Sequence, residues 1–416
     1  MRRSWCCQAV RCTKAVAFSL MLATLWCAGT AWAEESAGGD GSTSVSTTSL
    51  PTNPEKLTPA QAVDAYLAVL LDETQTRIKR NYAAGQIMQL GKAASPAMVE
   101  RYKRATAQER GYLAAVLGAM GSDPEAEKVL LADLKERGLG VHPNVILALG
   151  KMGSSEARPV LMEMLSQERQ REDERVGLRL AIVQGLGGVA DETSSGVLKE
   201  GLDDKDRLVR SACANGLAGL LVRLKAKTGP GTSPVEMTSA QRTAAIGAYE
   251  GVLKDVLEYC QEGKNEDARL ILIDGLGTLR EVKAVAVLGT VLEKGTPGLR
   301  SSAADALGLV LKQATTDLGL TPAETVERLD AEGMVDDLSE MVGDEDTAMS
   351  RAALRGLVTI GDARCVGPLI EELGKATGRE HADRRRDMAK GLASLTGQNF
   401  GDNAEAWRNW WVSQPH

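Results

Sequence analysis

One register dominates this sequence. An apolar anchor stands at Ile87, Leu117, Leu149, Leu186, Leu217, Leu276, Leu307, Leu357 and Leu392, and seven residues before these stand Arg80, Arg110, His142, Arg179, Arg210, Arg269, Arg300, Ser350 and Arg385. Seven of the nine leading positions are arginine, and successive anchors are 30, 32, 37, 31, 59, 31, 50 and 35 residues apart. Seven residues are nearly two helical turns, so each pair shares one helix face. A period of 30–37 residues restricts the chain to a stack of similar units, each burying its apolar face on the next.

Each unit reads as two helices. The first is amphipathic, as in "SEARPVLMEML" and "VGPLIEELG", and the second carries the arginine-to-leucine register. Short Gly, Asp or Ser turns such as "GLDDKDR" join them, and small residues in the second helix ("SACANGLAG", "SSAADALG") allow close helix approach. No strand-like alternation persists, so the expected fold is all-α, an α-solenoid of about nine helix pairs. Aromatic residues are only 3% of the chain, in keeping with thin helices packed through Ala, Leu, Gly and Val.

The segments "DKDRLVRSACANGLAGL" and "TPGLRSSAADALGLVL" resemble the D-x-x-V-R-x-A-A-x-A-L-G pattern of HEAT repeats, especially the short bacterial HEAT-like repeats of the PBS-lyase type. The resemblance covers about Pro59 to Leu395. It implies the fold and leaves the activity open, because such folds host many roles.

Outside the repeats the composition changes. Residues 1–33 combine a basic start, an apolar run and Ala31-Trp32-Ala33, resembling a bacterial secretory signal peptide with cleavage after Ala33. The run is also near the length of a membrane anchor, so membrane association is expected only if the segment is retained. A lipoprotein reading at Cys27 is weaker, since Thr24-Leu25-Trp26 lack the expected small residues. Residues 34–57 are rich in Ser, Thr and Gly and read as a disordered linker. The repeats occupy 58–396, with Thr58 and Pro59 placed to open the first helix, an inserted loop at about 224–241 and an extra segment with a short helix at about 315–335. Residues 397–416 form a Trp-rich terminal element. Trp407, Trp410 and Trp411 stand at i, i+3 and i+4, on one helix face. Such an ending looks like one that follows HEAT-like repeats in exported proteins of environmental bacteria.

The arginine register suits a structural ladder. A guanidinium early in each second helix can bond turn carbonyls or an acid of the adjacent unit while its stem packs on the repeat interface. Arginine there opposes the helix dipole, so a compensating contact is required, and an inter-repeat pairing is the simplest. The alternative is a row of anion sites. The interruptions at His142 and Ser350 favour independent braces over a continuous track. The tryptophans suit a cap over the last repeat, packed on the Arg385–Leu395 helix; the alternative is an aromatic surface for carbohydrate or a partner protein.

Motifs for chemistry are missing. His142, His381 and His416 have no metal-ligand spacing, and no nucleophile elbow, phosphate loop or H-E-x-x-H occurs, so no catalytic residue, metal or cofactor is expected. Arg384, Arg385 and Arg386 read together as a solvated helix face. Of seven cysteines, Cys213, Cys260 and Cys365 lie outside the leader and read as buried thiols, with a Cys213–Cys260 bond as the alternative. Removing residues 1–33 takes away Arg2, Arg3, Arg11 and Lys14 and no acid, so the net charge goes from −7 to −11. An acidic mature chain disfavours nucleic acid as partner. The expected function is a non-enzymatic, exported protein-interaction scaffold in the periplasm or cell envelope, with an unknown protein partner. The rivals are an envelope glycan binder acting through the tryptophans, and an accessory or lyase-like HEAT-repeat enzyme. HEAT-like repeats occur in phycobilin lyases and alkylpurine DNA glycosylases; export and acidity argue against both.

Overall fold

The computed structural model describes residues 49–51, 54–169, 175–228 and 237–414. The signal-peptide segment, most of the linker and His416 lie outside them, as does the centre of the inserted loop. The described residues form α-helices and short 3-10 turns with no strand. The chain divides into two compact units, residues 1–197 and 198–416.

The first unit holds four helical hairpins: α1 (Pro59–Leu71) with α2 (Arg77–Leu90), α3 (Ser95–Lys103) with α4 (Ala107–Met120), α5 (Pro124–Arg137) with α6 (Pro143–Met152), and α7 (Ala157–Arg169) with α8 (Val176–Val189). The starts are written locally. Thr58 and Thr106 each accept from a backbone N–H three residues on, and Gln61 and Glu109 return the bond to the cap backbone. Proline opens α1, α5 and α6, where its missing N–H costs nothing. The second helices α2, α4, α6 and α8 pack successively as one layer, and α1, α3, α5 and α7 as the other.

α9 (Ser195–Gly201) crosses the division between units. The second unit continues with α10 (Arg207–Thr228), α11 (Ser239–Glu262), α12 (Glu266–Leu279), α13 (Val285–Lys294), α14 (Pro297–Leu318), α15 (Pro322–Arg328), α16 (Glu332–Met341), α17 (Thr347–Ile360), α18 (Val366–Lys375), α19 (Ala382–Thr396) and α20 (Ala404–Val412). Here α10, α12, α14, α17 and α19 form the second-helix layer, and α11, α13, α16 and α18 the first-helix layer. Helix extends into both ends of the 224–241 span, through Thr228 and from Ser239. The extra residues of the 315–335 span complete α14, add α15 and start α16.

All nine apolar anchors are 0 or 1% exposed and belong to the core. Close approach within the second-helix layer rests on small residues. A methyl group at Gly118 would stand 2.6 Å from Ala148 Cα, and one at Gly308 would stand 2.9 Å from Gly356 Cα. Cys213, Cys260 and Cys365 are free and buried, and burial pushes the Cys260 and Cys365 thiols up to about 12.

Candidate functional site

The ladder arginines brace the turns of their own hairpins more than they pair between repeats. In an antiparallel hairpin the second helix begins beside the C-terminal carbonyls of the first, which lack intrahelical partners and carry the negative end of the dipole. Arg80 Nε donates to Leu70 O at 2.8 Å, Arg269 Nε to Cys260 O at 2.9 Å and Arg300 Nε to Leu292 O at 2.8 Å. Arg385 Nη1 donates to Ala376 O at 2.9 Å and to Gly378 O at 2.6 Å. The guanidinium thus answers the dipole of the preceding helix, which is the compensation its own helix start requires. Of the two expected kinds of partner, turn carbonyls and an acid of the adjacent unit, the carbonyls are the commoner among the described bonds, although the inter-repeat pairing is the simpler expectation. Partners from the next repeat are described as well: Arg80 lies over the Tyr112 ring at 4.7 Å, Arg110 pairs with Asp133, Arg210 pairs with Asp267, and Arg300 acts electrostatically on Asp337.

The interruptions have local reasons. Ser350 Oγ donates to Val342 O at 2.7 Å, and Arg384 of the next hairpin donates to the same carbonyl. A short hydroxyl and a neighbour's guanidinium together fill the place of one arginine. The three consecutive arginines therefore do not form one solvated face: Arg384 and Arg385 bind carbonyls, and only Arg386 stays outside, paired with exposed Asp383 at 2.9 Å.

His142 stands where a different environment has been built. Its Nδ1 accepts from Asn144 N at 3.2 Å and so caps α6, which places the proton of the neutral ring on Nε2. The ring lies so close over Gly111 that a methyl group there would meet Nε2 at 2.5 Å, and Asn144 Nδ2 donates to Gly111 O at 3.0 Å. Burial holds the imidazole pKa below its usual value.

Around this histidine the first unit has a cavity of about 420 Å³, between the starts of α4, α6 and α8 and the end of α5. Arg110, Arg137 and Arg175 line it. Asp133, only 6% exposed, accepts from Arg110 Nη1, from Arg137 Nε at 2.7 Å and, on its other oxygen, from Tyr102 Oη at 2.7 Å. Burial first, and then the bond to this carboxylate, push the Tyr102 hydroxyl far above the usual phenol range. Arg175 pairs with buried Glu168, and the ladder residue Arg179, 3% exposed, follows one turn along α8. This cluster escaped the sequence reading, because Tyr102, Asp133, Arg137, Glu168 and Arg175 share no register. The one signal was His142 in a place kept for arginine.

At the C-terminus Trp407 is fully buried, with Nε1 donating to Gly401 O at 2.8 Å. Phe400 meets it edge-on at 4.9 Å, and Trp410 at 6.1 Å. Trp410 and Trp411 are half-buried. Helix α20 packs chiefly on α18, the first helix of the last pair, with Trp411 Nε1 against Gly367 and Arg408 against Gly374. This corrects the expected seat on the Arg385–Leu395 helix. The tryptophan helix extends the first-helix layer, in the place where another repeat would begin.

Residues 144–167 match the family model described as "PBS lyase HEAT-like repeat". Among solved structures, an engineered protein is similar at 16% identity and a TM-score of 0.42, over 85% of this chain and 95% of that one. The CpcE–CpcF complex of phycocyanin lyase from Nostoc sp. PCC7120 is similar at 19% identity and a TM-score of 0.31, over 64% of this chain and 92% of that one. Importin beta is similar at 14% identity and a TM-score of 0.38, over 80% of this chain and 50% of that one. No curated protein sequence matches the chain.

Proposed function

We propose that this protein is a non-enzymatic, exported scaffold of HEAT-like repeats that binds another protein along the second-helix face of its second unit. One observation carries the reading. The position five residues after the ladder holds Asn215, Asp274, Asp305, Arg355 and Lys390 on α10, α12, α14, α17 and α19, which pack one after another. Four of the five are exposed, and Asp305 is half-buried. Cross-helix bonds hold the strip in register: Ser302 with Asp274, Arg355 with Asp305 at 2.9 and 2.6 Å, and Arg351 with Asp387 at 3.1 Å. A fixed line of outward charges, acidic at Asp274 and Asp305 and basic at Arg355 and Lys390, suits an extended or helical segment of complementary charge.

The experiment is affinity capture from an envelope fraction, comparing wild type with the charge-reversed pair Asp274→Lys and Lys390→Glu. A protein retained by wild type and lost by the folded variant supports the reading. Equal retention by both overturns it. Export rests on residues 1–33 and is tested by sequencing the mature N-terminus, expected at Glu34. A second reading, glycan binding at the C-terminus, draws on the half-buried Trp410–Trp411 pair, 6.0 Å apart, beside Val412, which is 75% exposed. Glycan-array binding that is lost in Trp411→Ala would favour it over the protein scaffold.

A further inference from the structure

We propose that the cavity beside His142 is a binding site for a small carboxylate with an apolar body. The charge balance is the first ground. Arg110 and Arg137 share the single carboxylate of Asp133, whose second oxygen is engaged by Tyr102, while Arg175 has Glu168. Among the described residues, two guanidinium groups at the cavity wall, Arg110 and Arg137, thus share one carboxylate, a local surplus of one positive charge in a chain that is acidic as a whole. One monoanion completes the set.

The available donors are the second ground. The described residues take only Nε of Arg137, and its side chain is 37% exposed at the cavity wall. Its Nη1 and Nη2 remain for a solute, and a guanidinium edge matches a planar carboxylate with two parallel bonds. Asp133 fixes the stem of that arginine from the buried side, so the fork is held before a ligand arrives and little ordering is lost on binding.

The rest of the wall sets the ligand's other end. Leu139, Val141, Pro143 and Leu178 line the cavity with apolar surface. A volume of about 420 Å³ falls in the range of small-molecule pockets. An inorganic phosphate fits poorly here: it brings nearly two charges to a surplus of one and leaves the apolar wall uncovered. A carboxylate joined to a hydrocarbon chain or ring answers both features. This reading is independent of the protein-binding strip, which lies in the other unit.

The test is isothermal titration of the full chain with sodium octanoate, with octan-1-ol and inorganic phosphate as comparators. Saturable binding of one octanoate is expected, with octanol at least tenfold weaker and phosphate giving no saturable heat. Arg137→Gln should weaken octanoate at least tenfold. Leu139→Trp, which fills the cavity and alters no charge, should abolish the binding. Lys264→Gln, at an exposed position of the second unit, should leave it unchanged, and circular-dichroism melts establish that each variant is folded. Octanol binding as well as octanoate, phosphate binding in its place, no saturable octanoate heat, or unchanged octanoate affinity in both Arg137→Gln and Leu139→Trp would each overturn the proposal.

Discussion

Arg210 and Asp267 join successive second helices through a two-pronged ion pair. Nε lies 3.2 Å from both carboxylate oxygens, Nη2 lies 3.1 Å from Oδ2, and both side chains are 16% exposed. The same guanidinium reaches back to Asp204 O at 2.9 Å and Lys205 O at 3.1 Å. One residue thus closes the turn of its own repeat and fixes the spacing to the next.

Arg210→Ala should therefore destabilise the second unit by about 1.5–3 kcal/mol, the usual cost of losing hydrogen bonds to a charged group. Asp267→Asn keeps the shape and removes the charge, and should cost less. Urea unfolding of both single variants and the double variant gives the coupling directly. Additive losses would show that the turn carbonyls, and not Asp267, are the partners that matter.

Glycines separate close packing from backbone freedom. At Gly308 an added methyl meets Gly356 Cα at 2.9 Å, so α14 and α17 must part. Gly308→Ala should cost about 1–3 kcal/mol, as overpacking does. At Gly247, exposed within α11, an added methyl meets nothing within 4 Å. Gly247→Ala should stabilise by about 0.5–1 kcal/mol through better helix propensity. Thermal melts of opposite sign check the pair; a neutral Gly308→Ala would mean the layer has slack.

The anchors and hairpins were legible because burial imposes the same demand in every repeat. Leu307 and its equivalents must fill one space, so the register is written nine times. The partners of the arginines were only partly legible. The need for a compensating contact follows from Arg300 standing near a helix start, but whether it reaches Leu292 O in its own hairpin or an acid in the next depends on side-chain reach. The cavity was not legible at all. Arg137 and Arg175 come from the end of one helix and the approach to another, and meet only because α5 and α8 both border α6. For the tryptophans, the apolar face at Trp407 was readable, while its seat on α18 depends on the turn at Phe400–Asp402, which carries the chain past α19.

His142 gives the first unit a pH dependence of known sign. Burial lowers its folded-state pKa below the unfolded value of about 6.5. The unfolded chain then binds the proton more readily, so stability is full above pH 6.5 and falls as pH drops from there through the folded pKa. His142→Asn keeps an acceptor for the start of α6 and removes the titration. Urea melts at pH 7.5 and pH 5 should show a smaller acid loss in the variant than in wild type. Equal losses would assign the acid sensitivity to carboxylates elsewhere.

The C-terminal helix can be read by its own fluorescence. The six tryptophans are Trp5, Trp26, Trp32, Trp407, Trp410 and Trp411, so a chain cleaved after Ala33 emits only from α20. Trp407 is fully buried under Phe400 and Trp410, whereas Trp410 and Trp411 keep part of their surface in water. Acrylamide should therefore quench the mature protein in two classes, one shielded and one accessible. Trp407→Ala should remove the shielded class and cost about 3–5 kcal/mol, because it empties a large buried site. Trp411→Ala should remove accessible emission and cost less. Since α20 rests on α18 and extends its layer, the Trp407 variant should also speed amide exchange in α18 more than in α19. Equal exchange in the two helices, with full quenching of all three indoles in the native chain, would mean that α20 is not seated on the last repeat and that its aromatic face is open to a ligand.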